Sequence, residues 1–334
     1  MNNQSRRITL KDVAEKTGYS INTVSRALSE KKDIAELTRE YIQKEAEKLG
    51  YIRDTVAGSM RSGMTNTIAL ILGDISNPFF SIQVKEIEQS ASNYGYNIVI
   101  YNTDENTEQE RCAIMSAYSK RVDGIIICPV QKNLDNMNLL KSIRIPFVLI
   151  GRDFENFSAD SVVWDDEKAG DLATTYMIEQ GHRMILYIGG PLYISSAKER
   201  LQGYINAHKR VKLEPMDGLI RQTDTMTGSC MKEVKQVIKE KRKFTAIVTF
   251  SDLMAYEALR TVKEVRYKEL ATIPVIGIDD IQSKIMLPIT IPSIGCVDGE
   301  GIYKAMDLLV RKIQNGSEKT KRIVLDVKLM HYDN

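Results

Sequence analysis

The sequence predicts an α/β protein in two parts: a small N-terminal three-helix helix-turn-helix domain, then a core of two doubly wound parallel-sheet lobes. Three observations predict it. Residues 9–29 read as two short helices around a tight turn. From Asn66 onward, β-rich apolar runs alternate with helical stretches, and the alternation occurs in two successive sets. At 334 residues the chain is long enough for more than one domain and a large buried core.

Thr9 can cap the first helix, with Asp12 three residues on in the acidic variant of the capping box. Val13 and Ala14 are placed to bury one face. Gly18 ends this helix, because glycine enters the left-handed conformation without strain. Ser20 then caps a second helix, whose Val24, Ala27 and Leu28 form an i, i+3, i+4 stripe. Its opposite face carries Ile21, Asn22, Ser25 and Arg26, short or hydrogen-bonding side chains near a helix N-terminus. A recognition helix presents such groups to base edges in the major groove. A helical hairpin with a solvated polar face satisfies the same pattern. A third helix, about 35–49, offers Leu37, Tyr41, Ile42, Ala46 and Leu49 to close a three-helix core, and Gly50 stops it.

The segments Ile8-Thr-Leu-Lys-Asp-Val-Ala14, Thr23-Val-Ser-Arg-Ala-Leu28, Thr38-Arg39 and Leu49-Gly-Tyr51 together resemble the headpiece of the LacI/GalR family of bacterial transcription regulators. The resemblance covers the rest of the chain and implies a periplasmic-binding-protein-like core with several crossovers. Residues 51–63 resemble the family's hinge, a short helix that inserts a leucine into the minor groove at the operator centre. Here Arg53 replaces the usual proline, Asp54 the usual asparagine, and Met60 takes the wedge position, with Val56 and Ala57 beside it. Methionine is apolar and flexible, so it can still serve as a wedge. Gly58 weakens isolated helicity by about 1 kcal/mol relative to alanine, so this helix is expected to form only on DNA. A plain interdomain linker is the other reading. The expected organisation is a headpiece over 1–50, a hinge over 51–63 and an effector-binding, dimerising core over 64–334. Lobe 1 takes about 66–162 and 293–328, and lobe 2 takes about 163–292.

In the core, Thr67–Leu72, Asn97–Tyr101, Gly124–Cys128 and Phe147–Ile150 read as strands, with helices over 79–94, 108–120 and 134–142 between them. Continuous apolar strands separated by helices mean a parallel sheet covered on both faces. A second set follows Val162–Trp164, with strands at Met184–Ile188, Ala246–Phe250 and Val275–Ile278. The late elements, Ser293–Val297, a helix over 299–313 and Arg322–Lys328, are expected to return to the first sheet. Ligands in such folds bind beyond the carboxyl ends of the strands. Reading those positions gives Phe79 in Asp74-Ile-Ser-Asn-Pro-Phe79-Phe80, then Asp104, Arg152, Asp165, Asp166, Arg200, Ser251, Asp252 and Asp279. Phe79 can stack on a sugar ring or a base, or serve as core between the lobes. The resemblance implies an effector site lined by Phe79, Asp104, Arg152, Arg200 and Asp279. In it, Arg200 and Asp279 match an arginine and an aspartate that clamp the ligand from the second lobe. A guanidinium fork and a carboxylate suit vicinal hydroxyls or a carboxylate; an interlobe ion pair is the plainer alternative. Ile194 stands where some relatives place a polar ligand contact.

Composition narrows the function classes. Residues 1–62 carry 12 Lys+Arg against 9 Asp+Glu, a net of +3, which leaves −1 for the remainder of a chain at +2. A basic small domain on a near-neutral body suits a nucleic-acid partner read by one end of the molecule. No apolar run approaches the roughly 18 residues of a membrane span, and the polar, basic N-terminus lacks a secretory signal's apolar stretch. The four cysteines, Cys112, Cys128, Cys230 and Cys296, have no CxxC spacing, which argues against a metal site or disulfide framework and for a reducing cytoplasm. No GxGxxG follows the first strand, and GxxxxGK[ST], HExxH and GxSxG are missing, so no common phosphate, metal or nucleophile device supports an enzyme or a cofactor. His182, in Gln180-Gly-His-Arg183, reads as a helix C-terminal cap. A solute receptor would share the core but needs no headpiece.

The resemblance therefore implies a cytoplasmic, non-enzymatic regulator, most simply a repressor. Its homodimer sets two headpieces on a pseudo-palindromic operator. Ile21, Asn22 and Arg26 would read bases, Asn22 suiting adenine and Arg26 guanine. Thr9, Ser20, Thr23, Ser25 and Thr38 would hold phosphates. Val56, Ala57 and Met60 would enter the minor groove. A sugar or sugar derivative between the lobes would shift their orientation and change operator affinity. No leucine heptads follow the last strand, so a dimer is expected rather than a coiled-coil tetramer.

Overall fold

The computed structural model describes residues 7–29, 34–52, 63–264, 272–297, 301–316 and 319–332. It divides into two compact units, Met1–Thr65 and Asn66–Asn334. The hinge positions Arg53, Asp54, Val56, Ala57, Gly58 and Met60 lie outside the described residues.

The first unit holds α1 (Leu10–Thr17), α2 (Ile21–Ala27) and α3 (Glu36–Lys48). The Thr9 amide donates to Asp12 Oδ2 at 2.8 Å and the Asp12 amide to Thr9 Oγ1 at 3.4 Å, which closes the capping box. Gly18, at φ 76, turns the chain, and Ser20 Oγ accepts from the Thr23 amide at 3.1 Å to start α2. Val13, Ala14, Val24, Ala27, Ile42 and Ala46 form the buried core, with Ile8, Leu28, Leu49 and Tyr51 packed against it. Two expected core residues are outside it: Leu37 is 82% exposed and Tyr41 45%. The buried stripe of α3 runs through Ile42, Glu45 and Ala46, which rotates Leu37 and Tyr41 toward solvent. The Tyr41 ring instead meets Tyr19 edge-on, 6.4 Å between centroids.

The second unit has two six-stranded sheets. The first contains β1 (Thr67–Leu72), β2 (Asn97–Asn102), β3 (Gly124–Ile127), β4 (Phe147–Ile150), β5 (Ser161–Trp164) and β11 (Arg322–Leu325), in the order β11-β5-β4-β3-β1-β2. All its pairings are parallel. The second contains β6 (Ile185–Gly189), β7 (Ile220–Gln222), β8 (Ala246–Thr249), β9 (Val275–Ile278), β10 (Ser293–Cys296) and β12 (Val327–Met330), in the order β12-β10-β9-β8-β6-β7. Only β12 there runs antiparallel, against β10. Alternation along β1 shows why both faces are covered. Ile68, Leu70 and Leu72 pack under α4 (Pro78–Asn93) and α11 (Tyr303–Asn315). Ala69 and Ile71 pack under α5 (Thr107–Ser119) and α6 (Asp135–Ile143). In the second lobe α7 (Asp166–Glu179) and α8 (Ser195–Arg210) cover one face, and α9 (Ser229–Lys239) and α10 (Asp252–Glu264) the other.

The late chain departs from its expected path. Ser293–Cys296 does not return to the first sheet but pairs with β9 of the second. The stretch 322–328 splits between lobes, β11 pairing with β5 and β12 with β10. Side-chain burial accounts for the split: Leu325 enters the first lobe's core, whereas Ile294 and Val327 enter the second's. Helices α7 and α8 approach unusually closely at two glycines. A Cβ on Gly170 would lie 2.0 Å from the Arg200 carbonyl oxygen, and one on Gly203 2.0 Å from that of Glu167.

Candidate functional site

On the headpiece, Ile21, Asn22 and Arg26 stand exposed along α2, with Val24 and Ala27 buried on the opposite side. Thr9 and Ser20 are also exposed, and Thr23, Ser25 and Thr38 are half-buried. The hydroxyls of Ser20 and Thr23 hydrogen-bond each other at 2.9 Å at the α2 N-terminus, where amide groups and the helix dipole favour an anion. Arg7 is exposed; Arg6 lies outside the described residues.

In the core, the sheet ends gather a buried charge cluster. Arg200, on α8, points its Nε at Asp166 Oδ1 (2.6 Å) and its Nη1 at Asp279 Oδ1 (3.5 Å) and at the Phe250 carbonyl. Its guanidinium lies 4.7 Å from the Phe250 ring centroid. The side chains of Arg200, Asp166 and Asp279 are 6%, 3% and 5% exposed, so the two carboxylates depend on one cation. Burial raises the Asp279 carboxyl well above the usual carboxylate range, and Arg200 opposes that rise. Asp279 and Asp280 both have positive φ, 128° and 55°, at the end of β9. This turn sends Asp279 to Arg200 and Asp280 to Tyr332. Likewise Asp165 caps α7, accepting from the Lys168 amide at 3.0 Å, while Asp166 faces Arg200.

Lobe 1 contributes a second buried pair. Arg152 gives Nη1 to Glu105 Oε2 (2.8 Å) and to the Pro129 carbonyl (3.0 Å), and Nη2 to Glu105 Oε1 (2.7 Å). Sequence reasoning selected Asp104 for this corner, and the structure corrects it. Asp104 is exposed, accepts a hydrogen bond from Asn102 and lines neither cavity; Glu105 takes the inward place. Two consecutive positive φ angles, 47° and 53°, turn the loop so that its second acid faces in. The available signal was Gly73, whose absent side chain leaves room for the Glu105 carboxylate: a Cβ there would lie 2.3 Å from Oε1.

Two adjoining cavities share Phe79, Trp164, Arg200 and Asp279. The smaller, about 50 Å³, lies at the strand ends among Asp74, Glu105, Arg152 and Phe250. The larger, about 400 Å³, opens between α4 (Ile82, Gln83, Glu86) and the 280–284 turn of lobe 2, a size typical of small-molecule sites. Phe79 and Trp164, 5.5 Å apart and tilted by 57°, form an aromatic wall common to both. Gln83 is buried, and its Nε2 has no hydrogen-bond partner among the described residues. A ligand acceptor would satisfy it. Three polar ties bridge the lobes around this region: the Ser195 amide to Gln131 Oε1 (2.9 Å), Lys198 to Glu155 (2.7 Å) and Lys284 to Glu86 (3.2 Å). Ile194 is fully buried and lines neither cavity. His182 sits just past α7, its Nδ1 3.1 Å from Thr245 Oγ1.

Asp252, at the start of α10, gives the core a pH dependence. Its oxygens accept from Ser293 Oγ (2.6 Å) and the Ile281 amide (2.9 Å), and burial pushes its carboxyl up to about 6. Burial and the neighbouring Asp166 push Glu199 up to about 7. A raised acid holds its proton more tightly in the native state. Its stabilisation is therefore full below the ordinary carboxylate value and is lost as pH rises through 6 to 7. Asp252→Asn is expected to remove up to about 3 kcal/mol of that pH-dependent change. Urea melts at about pH 4 and pH 8 measure it; an unchanged slope would show Asp252 ionised throughout.

Residues 65–332 match the family model described as periplasmic binding proteins and sugar binding domain of LacI family. Residues 9–54 match that of bacterial regulatory proteins, lacI family. The HTH-type transcriptional repressor PurR of Vibrio atlanticus is 30% identical over 275 residues, 82% of each chain. The ribose operon repressor of Escherichia coli is 28% identical over 325 residues, 96% of this chain and 98% of that one. Among solved structures, the lac repressor dimer bound to operator and the anti-inducer ONPF aligns over 98% of both chains, with a TM-score of 0.84 and 24% identity. A transcriptional regulator CelR–cellobiose complex aligns over 97% of this chain and 99% of its own, with a TM-score of 0.72 and 24% identity.

Proposed function

The chain belongs to the LacI family of bacterial regulatory proteins, and from that premise we propose how its two units act. It is a DNA-binding transcriptional repressor whose operator affinity is controlled by a small molecule. Ile21, Asn22 and Arg26 read base edges of a pseudo-palindromic operator, and Thr9, Ser20, Thr23, Ser25 and Thr38 hold phosphates. The exposure of the first three on one helix supports this reading. The effector binds in the interlobe cavity, stacked on Phe79 and Trp164 and held by Arg200 and Asp279. The observation that carries this is a buried Arg200–Asp166–Asp279 cluster facing a 400 Å³ cavity that both lobes line. A sugar or sugar derivative fits the aromatic wall and polar clamp, and relatives include a ribose operon repressor and a regulator complexed with cellobiose. Filling the cavity changes the lobe–lobe ties, and that change reaches DNA affinity through the segment before Asn66, a reciprocal coupling of typically 1–3 kcal/mol.

The chain works as a homodimer in the cytoplasm and without catalysis. β2 is the outer strand of its sheet, and Ile100, Tyr118 and Met115 beside it are 44%, 49% and 43% exposed, a surface suited to a second copy. No described helix is long and apolar enough to cross a membrane.

Fluorescence anisotropy on selected operator DNA, with sugars, sugar acids, sugar phosphates and nucleobases added, tests the whole reading. Arg26→Ala is expected to lose about 1–3 kcal/mol of discrimination at one operator position. Asp279→Ala is expected to bind operator but ignore the effector. Loss of operator binding in folded Asp279→Ala would overturn its assignment.

A further inference from the structure

Arg152 and Arg200, the two arginines that line the smaller cavity, are both already bound to carboxylates. For Arg200 the arrangement leaves a ligand-facing edge, since Nη2 makes no hydrogen bond among the described residues. Arg152 differs. Both of its terminal nitrogens are committed, to the two Glu105 oxygens and the Pro129 carbonyl, and the pair's side chains are 6% and 11% exposed. A fork-to-fork pair of this kind occupies the bidentate face that a guanidinium would otherwise offer to a phosphate or carboxylate. The local backbone is adapted to it. Glu105 holds a positive φ of 53°, and Gly73 opens the space its carboxylate fills. Asp74 and Asp279 add carboxylates to the same lining, which tells further against an anion.

We infer that Glu105 sets the charge of the effector: by occupying Arg152 it makes the cleft select an uncharged or cationic polyhydroxylated ligand and reject one bearing a phosphate or carboxylate. The inference rests on the effector site of the 400 Å³ cavity extending into the smaller, adjoining cavity that Glu105 and Arg152 line. Removing the Glu105 charge turns Arg152 into an unpaired, desolvated cation and so creates an anion site.

Full-length protein, titrated with inorganic phosphate by calorimetry at constant ionic strength, tests this. Glu105→Gln is expected to bind phosphate at least about tenfold more tightly than wild type. Glu105→Asp, which keeps the charge, should show no such gain, and Glu105→Gln/Arg152→Met should lose it. That loss separates the cleft from the basic headpiece. A folded Glu105→Gln without the gain overturns the inference. A second measurement needs no Glu105 variant: ³¹P line broadening of phosphate by wild type should match that by Arg152→Met, and Arg152-dependent broadening overturns the inference. Operator release keeps the two readings apart. A sugar phosphate that releases wild type would uphold the effector site and defeat the charge rule. A phosphate gain in Glu105→Gln, with no sugar moving operator affinity, would do the reverse.

Discussion

Arg200→Met is expected to cost the core about 3–5 kcal/mol and to abolish effector response. The cost comes mainly from what the arginine leaves behind. Asp166 and Asp279 are both buried, and Arg200 is the cation bonded to each. Without it, both carboxylates must protonate to stay inside, so the folded state holds protons that the unfolded chain releases. The deficit is therefore small only below about pH 4 and grows as pH rises toward 8. Urea melts across that range give the curve, and the double variant Arg200→Met/Asp166→Asn should recover part of the loss, since it removes one orphaned charge. The headpiece core of Val13, Val24, Ile42 and Ala46 is a separate cluster, so its helices should persist. A pH-independent loss equal to that of a buried aliphatic truncation would show the cluster to be packing rather than charge.

Gly203→Ala is expected to be comparably severe for a different reason. In an isolated helix the change favours helix by about 1 kcal/mol. Here the new methyl would lie 2.0 Å from the Glu167 carbonyl oxygen and 2.5 Å from the Asp171 amide, both backbone atoms that no rotamer change can move. Helices α7 and α8 must separate, pulling Asp166 and Arg200, one on each helix, out of register. Overpacking of this kind costs about 3 kcal/mol or more. Denaturation and effector titration should fall together. Retention of wild-type stability would mean that the two helices can part without disturbing the ion pair.

Much of this molecule is legible locally. Thr9, Gly18 and Ser20 mark the headpiece helices because caps act within three or four residues. The central strands β1, β3, β4, β6, β8 and β9 announce themselves by continuous apolar runs buried on two faces, whereas the short, half-exposed outer strand β7 has no such run. Three features lay beyond that reach. Leu37 and Tyr41 have a plausible helical spacing, but the face α3 buries depends on where α1 and α2 lie. Ser293–Cys296 is a good strand whose sheet is decided by tertiary packing on β9 and β12 and not by anything within the strand itself. Glu105 rather than Asp104 enters the cleft because two positive φ angles turn the loop, a preference that neither side chain declares. Arg200 and Asp279 stand out in the sequence, but the pairing of Arg200 with Asp166 as well depends on the close contact of α7 and α8 at Gly170 and Gly203.

The chain passes between the lobes three times, after Trp164, after Cys296 and between Leu325 and Val327. This threading has a consequence for synthesis. Lobe 1 has five of its six strands by residue 164, yet β5 must wait for β11, and β10 of lobe 2 waits for β12. Until residues 322–330 have been made, β5 and β10 each present an unpaired strand edge, the surface on which nascent chains aggregate. Both sheets are then completed within nine residues of each other. A premature stop before Arg322 would strip an edge strand from each lobe at once, so a product truncated there has neither sheet complete.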